Sequence, residues 1–218
     1  MLGHRGARAE KSIPENTVAS FDLALAHGCD GFEFDVRLTA DGQAVICHDA
    51  TTTARGLEIA ASPAQQLALP RLREALTRYQ STAFLDIELK VPGLERITTD
   101  LLRQHAPARG FVVSSFLHEV LQAIHGLDAN TPLGLICETR AEFSRWLQLP
   151  VEYVIPHYKL LRQDVFTEIK AAGKKILVWT VNAPEDMKRF SDWGVDGIIS
   201  DNPKRLALTL GPRIESGN

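Results

Sequence analysis

The feature that most constrains the fold of this chain is a regular alternation between short apolar runs and helical patterns of about ten residues. The apolar runs predict eight strands, at residues 2–4, 31–36, 83–88, 111–114, 133–137, 153–156, 176–180 and 197–200. The helical patterns fall at residues 15–27, 72–79, 94–105, 118–125, 140–147, 162–172, 184–193 and 203–210. Because a helix follows every strand, the sequence predicts an α/β fold of the (β/α)8 TIM-barrel type, with a closed parallel sheet inside a ring of helices.

The length of the chain agrees with one such barrel. Its 218 residues, of which 44% are hydrophobic, suffice for one sizeable core. They fall slightly below the roughly 250 residues of an ordinary barrel of this type. Since no linker or low-complexity stretch divides the chain, we expect a single domain over residues 1–218, in which residues 214–218 form a frayed tail.

One segment adds a feature to the plain barrel pattern. Residues 35–48 form two β-like arms around Asp41 and Gly42, a dipeptide that is typical of hairpin turns. The sequence therefore predicts a β-hairpin after the second barrel strand. If its turn contains only these two residues, His48 pairs with Asp35 on the neighbouring arm. A short insertion then leads to the third barrel strand.

Carboxylates follow a two-residue period in two neighbouring barrel strands. Glu33 and Asp35 share one face of the second strand, and Asp86, Glu88 and Lys90 share one face of the third. Buried carboxylates repel one another unless a cation lies between them. Glu33, Asp35 and Glu88 are therefore candidate ligands for one divalent cation, Mg²⁺ or Ca²⁺. Lys90 is expected either to neutralise an anionic oxygen or to form a structural salt bridge with Glu88.

Two histidines and an arginine follow strands at the same end of the predicted barrel. His4 and Arg5 end the first strand, and His48 ends the returning arm of the hairpin. An imidazole transfers protons near neutral pH, and a guanidinium offers a planar fork of donors to a phosphate. Beside a cation site, these groups indicate phosphoryl chemistry. Trp179, near the end of the seventh strand, is either a packing residue or a substrate-binding wall for a small polyol.

The charge of the chain disfavours several classes of partner. Its formal net charge is -3, and its 24 Lys and Arg residues are scattered, so we expect no nucleic-acid partner. No apolar stretch approaches the roughly 18 residues of a membrane span, so we expect no stable membrane association. The N-terminus lacks a basic segment followed by an apolar run, which favours a cytoplasmic location.

Further motifs accompany these candidates along nearly the whole chain. In order, the motifs are His4-Arg5-Gly6, Pro14-Glu15-Asn16-Thr17, Glu33-Phe34-Asp35-Val36, Asp41-Gly42, His48-Asp49, Glu88-Leu89-Lys90, Ser114-Ser115-Phe116 and Trp179-Thr180-Val181-Asn182. The ordered set resembles the glycerophosphodiester phosphodiesterase family. This resemblance implies hydrolysis of a small glycerophosphodiester to sn-glycerol 3-phosphate and an alcohol. It also implies a divalent cation at Glu33, Asp35 and Glu88, acid/base histidines at His4 and His48, and phosphate contacts from Arg5 and Lys90.

Two alternatives to this function stay open. Many members of the family carry a longer insertion after the His-Asp motif, so the short segment in this chain predicts a more open mouth. An open mouth would admit an acyl chain, and the first alternative is therefore a lysophospholipase D-type activity on lysophospholipids. The second is a non-catalytic barrel that binds phosphate ligands, which is disfavoured because every central residue is present. The sequence gives no expectation for the oligomeric state.

Overall fold

Eight parallel strands close into a barrel in the computed structural model, which describes residues 1–211. The strands are β1 (Leu2–Gly3), β2 (Gly31–Leu38), β3 (Ala44–Ile46), β4 (Phe84–Leu89), β5 (Phe111–Ser115), β6 (Leu133–Cys137), β7 (Tyr153–Pro156), β8 (Lys175–Val178) and β9 (Gly197–Ser200). All except β3 belong to the barrel, which closes where β9 pairs with β1. The predicted (β/α)8 barrel is therefore confirmed. The predicted tail, residues 214–218, lies outside the described residues.

Helices connect the barrel strands. They are α1 (Val18–Ala26), α2 (Ala64–Leu67), α3 (Leu72–Tyr79), α4 (Glu95–Gln104), α5 (His118–Leu127), α6 (Arg140–Phe143), α7 (Gln163–Ala171), α8 (Pro184–Trp193) and α9 (Pro203–Leu210). A 3₁₀ turn, Trp146–Gln148, follows α6. Within residues 1–211, no helix has the length and apolar character needed to cross a membrane.

The first helix begins later than predicted because the chain before it is not helical. Asn16 has a φ of 57°, in the left-handed region, and Thr17 is extended. The Thr17 hydroxyl accepts a hydrogen bond from the backbone N–H of Ser20 and so caps the helix. The predicted helix at residues 15–27 is therefore wrong at its start, and the motif around Asn16 forms a turn.

Aromatic packing fixes which face of β2 points outward. The rings of Phe32 and Phe34 are fully buried, and Phe32 stacks on Phe21 of α1 with ring centroids 4.2 Å apart. Tyr79 of α3 contacts Phe32 edge-on at 4.8 Å. Because side chains alternate along a strand, the intervening Glu33 and the following carboxylate point into the barrel, as the two-residue period predicts.

The predicted hairpin is present, but its register differs by one residue. β2 and β3 pair antiparallel around a loop of three residues, 40–42, rather than two. The loop ends at Gly42, whose φ of 72° is the left-handed conformation that such loops require. Cys47 therefore takes the place opposite Asp35, and its backbone N–H donates to the Asp35 carbonyl oxygen at 2.9 Å. The prediction that His48 pairs with Asp35 is wrong.

The barrel interior is filled by its own apolar cluster, distinct from the larger core between strands and helices. Inward residues from the strands alternate with outward ones, so the barrel is packed rather than hollow below its mouth. The interior cluster consists of Leu2, Val112, Ile136, Tyr153, Ile155, Leu177 and Ile199, with Phe84, Phe116 and Trp179 packed against it.

Candidate active site

A cavity of about 270 Å³ opens at the carboxyl ends of the barrel strands. Its walls fall into two groups of residues, which we call the charged half and the apolar half. The charged half comes from β1, β2, β4 and the hairpin and consists of His4, Arg5, Glu33, His48, Asp86, Glu88 and Lys90. The apolar half comes from β5 to β9 and consists of Phe116, Ile136, Ile155, Trp179 and Ile199, with Glu138 beside them. Seven of the eight predicted site residues line this cavity, and Asp35 lies against it in the carboxylate cluster.

Three carboxylates come together in the charged half. Glu33, Asp35 and Glu88 each offer an oxygen atom, and these atoms lie within 4.8 Å of one another. All three side chains are buried. Glu33 Oε1 accepts no hydrogen bond from any described residue, and Asp35 Oδ1 accepts none either but lies 3.3 Å from the Lys90 ammonium. Buried oxygens without donors are costly unless a cation satisfies them, and an all-oxygen donor set suits Mg²⁺ or Ca²⁺. The residues present therefore fit a divalent cation.

Burial makes these carboxyl groups hard to ionise. It raises the pKa of Glu33 well above its usual range, and the nearby Asp35 charge adds to this effect. Burial likewise raises the pKa of Glu88 to about 7. The pKa of Asp86, whose carboxylate accepts a hydrogen bond from the Ser114 hydroxyl, is also raised to about 7 by burial. A cation bound here would have to displace the protons that these groups retain.

Two cations contact Asp35 directly. Lys90 Nζ lies 3.3 Å from Asp35 Oδ1 and 2.6 Å from Glu88 Oε1. Arg5 Nε lies 3.3 Å from Asp35 Oδ2. Burial opposes ionisation of Asp35, but these two charges outweigh it and lower its pKa. Lys90 thus makes the salt bridge that was one of its two expected roles, and it lines the cavity as well.

The turn before α1 makes hydrogen bonds to the carboxylate cluster and to Arg5. Asn16 Nδ2 donates to Asp35 Oδ2 at 2.8 Å, and the Glu15 carboxylate accepts from Arg5 at 2.7 Å. The backbone N–H of Arg5 donates to Glu33 Oε2 at 3.0 Å. Because the left-handed φ at Asn16 turns its amide towards β2, the turn and the carboxylate cluster form one hydrogen-bonded unit.

His4 is held by a carboxylate from the far end of the chain. Its Nδ1 lies 2.7 Å from Asp201 Oδ1, and its Nε2 lies 3.7 Å from Glu33 Oε2. Asn182 donates to the other Asp201 oxygen at 2.7 Å. Burial opposes ionisation of Asp201, but the hydrogen bonds with His4 and Asn182 outweigh it and lower its pKa. The ring orientation of His4 is therefore fixed from behind.

Asp201 is not among the site residues predicted from the sequence. The neighbouring Asn202 caps α9, since its side chain accepts from the backbone N–H of Arg205. The available signal was the position of Asp201 directly after β9, the strand that pairs with β1 when the barrel closes.

His48 lines the cavity from the hairpin. Its Nδ1 lies 2.7 Å from Asp49 Oδ1, and its backbone carbonyl accepts from Arg37 at 2.8 Å. Burial lowers the pKa of His48 below its ordinary value of 6.5, although Asp49 opposes the shift. His48 is therefore largely neutral at pH 7, the form that accepts a proton.

Trp179 is both a packing residue and a cavity wall. Its indole N–H donates to the Ile155 carbonyl oxygen at 2.9 Å. Its ring meets Phe116 edge-on with centroids 5.8 Å apart, and His157 packs on it at 5.3 Å. Sequence reasoning missed Phe116 and Glu138 as cavity residues, because an aromatic residue or a glutamate after a strand has no distinctive pattern.

Comparisons with known proteins agree with this geometry. The model of the glycerophosphoryl diester phosphodiesterase family matches residues 4–97 and 88–205. A glycerophosphodiester phosphodiesterase of Caldanaerobacter subterraneus is 30% identical, over 94% of this chain and 95% of the relative. The structure of an Oleispira antarctica phosphodiesterase in complex with the product sn-glycerol-3-phosphate is 28% identical, with a TM-score of 0.85 over 95% of each chain. A lysophospholipase D of Rattus norvegicus is 23% identical, over 94% of this chain and 84% of the relative.

Proposed function

The chain belongs to the glycerophosphoryl diester phosphodiesterase family and is a phosphodiesterase of that class, and we propose that it releases sn-glycerol 3-phosphate with one divalent cation and two histidines. The observation that carries this proposal is the meeting of three carboxylates, two imidazoles, Arg5 and Lys90 around one cavity. The sn-glycerol-3-phosphate bound by the Oleispira antarctica phosphodiesterase supports the choice of product.

Glu33, Asp35 and Glu88 are the residues that would hold the cation. Support comes from their clustered oxygens, of which Glu33 Oε1 is buried without a hydrogen-bond donor. When bound, a divalent cation supplies Lewis-acid stabilisation of charge on the phosphoryl oxygens. Asn16 keeps Asp35 oriented through its amide hydrogen bond.

His4 and His48 divide the proton transfers between them. One imidazole accepts a proton from the 2-hydroxyl of glycerol as its oxygen attacks phosphorus, and the other donates a proton to the alcohol oxygen as its bond to phosphorus breaks. Water then opens the resulting cyclic phosphate to sn-glycerol 3-phosphate, with the two proton transfers in the opposite sense. The neutral state of His48 at pH 7 and its place on the cavity wall support this role. Asp201 acts on His4 as a positioning residue, since it holds Nδ1 and leaves Nε2 facing the carboxylate cluster.

Arg5 and Lys90 supply positive charge next to the phosphate position. Both line the cavity, and both lie beside Asp35. A guanidinium and an ammonium at this distance neutralise the anionic oxygens of a phosphodiester, whose charge increases in the transition state. Trp179, from the apolar half, forms a wall against which the carbon skeleton of the substrate packs.

The test of this function is the identity of the phosphomonoester that is formed. We expect the enzyme with Mg²⁺ or Ca²⁺ to convert glycerophosphocholine into sn-glycerol 3-phosphate and choline. The phosphorus-containing product is identified by ³¹P NMR. Formation of phosphocholine and glycerol would show that the other ester bond breaks. Absence of any phosphomonoester with either metal would contradict the proposed reaction.

A lysophospholipase D-type activity is the second candidate. It is supported by the similarity to the rat lysophospholipase D. The test compares kcat/KM for lysophosphatidylcholine and glycerophosphocholine, which share the same phosphodiester and the same alcohol. We expect glycerophosphocholine to be preferred, and a clear preference for the acylated substrate would reverse the order of the two candidates.

A further inference from the structure

One carboxylate stands apart from the phosphate-binding charges. Among the described residues that line the apolar half, Glu138 is the one that carries a charge. It directly follows the last residue of β6 and is exposed at the cavity rim. Its backbone N–H donates to Glu142 at 3.0 Å. Within residues 1–211, its carboxylate takes part in no hydrogen bond and no ion pair.

The carboxylate of Glu138 has no structural task in the neighbouring helix. The capping box of α6 is formed by Thr139 and Glu142, each of which bonds to the backbone of the other. Glu138 contributes only its backbone to this arrangement. Its side chain can therefore be replaced without removing a cap. Burial lowers the pKa of His157 and the Glu138 charge opposes this shift, so the carboxylate acts on this neighbouring imidazole as well as on whatever occupies the cavity.

The walls near Glu138 are aromatic and apolar. Phe116 and Trp179 meet nearly at right angles, with an interplanar angle of 86°, and Ile136 and Ile155 complete this side of the cavity. Aromatic faces attract ammonium groups, and a nearby carboxylate strengthens this attraction. Lys90 Nζ lies 5.8 Å from the centroid of the Phe116 ring, so this ring already has a cation near it, and both Phe116 and Trp179 are only partly buried.

We propose that Glu138, Phe116 and Trp179 form a subsite for a positively charged leaving alcohol. With the phosphate held in the charged half, the alcohol of the diester extends across the cavity towards the apolar half. A quaternary or primary ammonium there meets aromatic faces and the opposite charge of the Glu138 carboxylate, whereas a neutral polyol can donate a hydroxyl hydrogen bond to this carboxylate but gains no attraction between opposite charges. This inference rests on the proposed function and selects choline and ethanolamine diesters within it.

The test measures kcat/KM of the metal-loaded enzyme for glycerophosphocholine, glycerophosphoethanolamine and glycerophosphoglycerol. Glu138→Gln removes the charge at nearly constant size, and Glu138→Lys reverses it. Because one partly exposed ion pair contributes modestly, we expect Glu138→Gln to lower kcat/KM for the two cationic substrates about fivefold, through KM. Glu138→Lys should lower kcat/KM for these two substrates further. The kcat/KM of Glu138→Gln for glycerophosphoglycerol should change less than about twofold.

Glu119→Gln is the matched control, because Glu119 is an exposed glutamate on α5 outside the cavity. It should leave all three substrates unchanged. If Glu138→Gln lowers turnover of all three diesters equally, or of none, the subsite is disproved while the proposed function stands. If no diester releases sn-glycerol 3-phosphate in the native enzyme, the proposed function fails, and the subsite fails with it.

Discussion

The two halves of the barrel mouth differ in how their side chains are held. In the charged half, side chains bind one another: Arg5 and Lys90 contact Asp35, and Arg5 also contacts Glu33 through its backbone. In the apolar half, Ile136, Ile155 and Ile199 belong to the packed interior of the barrel. The difference indicates that the first half positions reactive groups through charge, and the second gives the substrate a rigid surface.

Asp201 is the exception to this division. It comes from the strand end after β9, yet it acts on His4 in the charged half. The reason is barrel closure, since β9 pairs with β1 and brings Ser200 beside Gly3. The two ends of the sequence thus complete one site. The difference between the two halves can be tested by substitutions in the carboxylate cluster, at His48 and at Asp201.

The largest expected effect is loss of the cation from the charged half. Glu88→Gln keeps the size of the side chain but removes a charged oxygen ligand. Because a catalytic cation contributes several kcal/mol to transition-state stabilisation, we expect activity to fall about a thousandfold or more. Calorimetric titration with Mg²⁺ or Ca²⁺ should show weakened binding, and Glu168→Gln on the exposed face of α7 is the control. Unchanged metal binding in Glu88→Gln would remove this residue from the site.

Removal of an imidazole should separate turnover from metal binding. His48 lines the cavity but is not part of the carboxylate cluster. We expect His48→Ala to lower kcat by roughly 10² to 10⁴, the usual contribution of a general acid or base, while metal affinity stays unchanged. His125→Ala, at an exposed position of α5, should have no effect. A His48→Ala variant with near-native kcat would exclude the residue from proton transfer.

Substitution of Asp201, which comes from the strand end after β9 but acts in the charged half, should change kcat more than KM. Asp201→Asn keeps a side chain of the same size but loses the charge that faces His4 Nδ1, and we expect kcat to fall about ten- to a hundredfold. Partial recovery in Asp201→Glu would support positioning through the carboxylate. The control is Asp192→Asn on the exposed face of α8. Equal loss in KM and thermal stability, with kcat preserved, would instead assign Asp201 a purely structural role.

The smallest expected effect is a pH dependence of the melting temperature that arises from the carboxyl groups of the charged half. Glu88 and Asp86 have folded pKa values of about 7, above their ordinary values of 4.5 and 3.8. At pH values between the ordinary and the folded pKa, the folded state binds more protons than the unfolded state. The free energy of unfolding therefore falls as the pH rises through this range. A cation binds the deprotonated form, and we therefore expect it to raise the melting temperature more at pH 8 than at pH 5.5.

The difference between the two pH values should amount to several degrees, measured by thermal unfolding with EDTA and with Mg²⁺ or Ca²⁺. The comparison uses one protein preparation at constant ionic strength, so that screening does not change between samples. An equal metal-induced shift at both pH values would show that protons and the cation do not compete in this cluster.

Much of the fold could be predicted from the sequence because its signals are local. The strands β6, β7 and β9 have the predicted bounds, since each is a short apolar run that ends at a polar or turn-forming residue. The start of α1 and the hairpin register could not be predicted, because each depends on a left-handed residue, Asn16 or Gly42, whose conformation is set by the surrounding structure.

The site divides in the same way. Alternation along β2 and β4 places Glu33, Asp35 and Glu88 on inward faces, so their meeting could be predicted from period and topology. The link between His4 and Asp201 joins residues that lie 197 positions apart. The signal for this pair is the closure of the barrel, which brings the ends of β9 and β1 together, and no local sequence pattern adds to it.

The most direct test of the central claim is release of sn-glycerol 3-phosphate from glycerophosphocholine, coupled to a dehydrogenase, before and after metal removal. The account predicts that treatment with EDTA abolishes release and that Mg²⁺, Ca²⁺ or Mn²⁺ restores it. Full release after complete removal of metal would contradict the role of the carboxylate cluster. No release with any of the three metals would contradict the assignment of the charged half to phosphodiester hydrolysis.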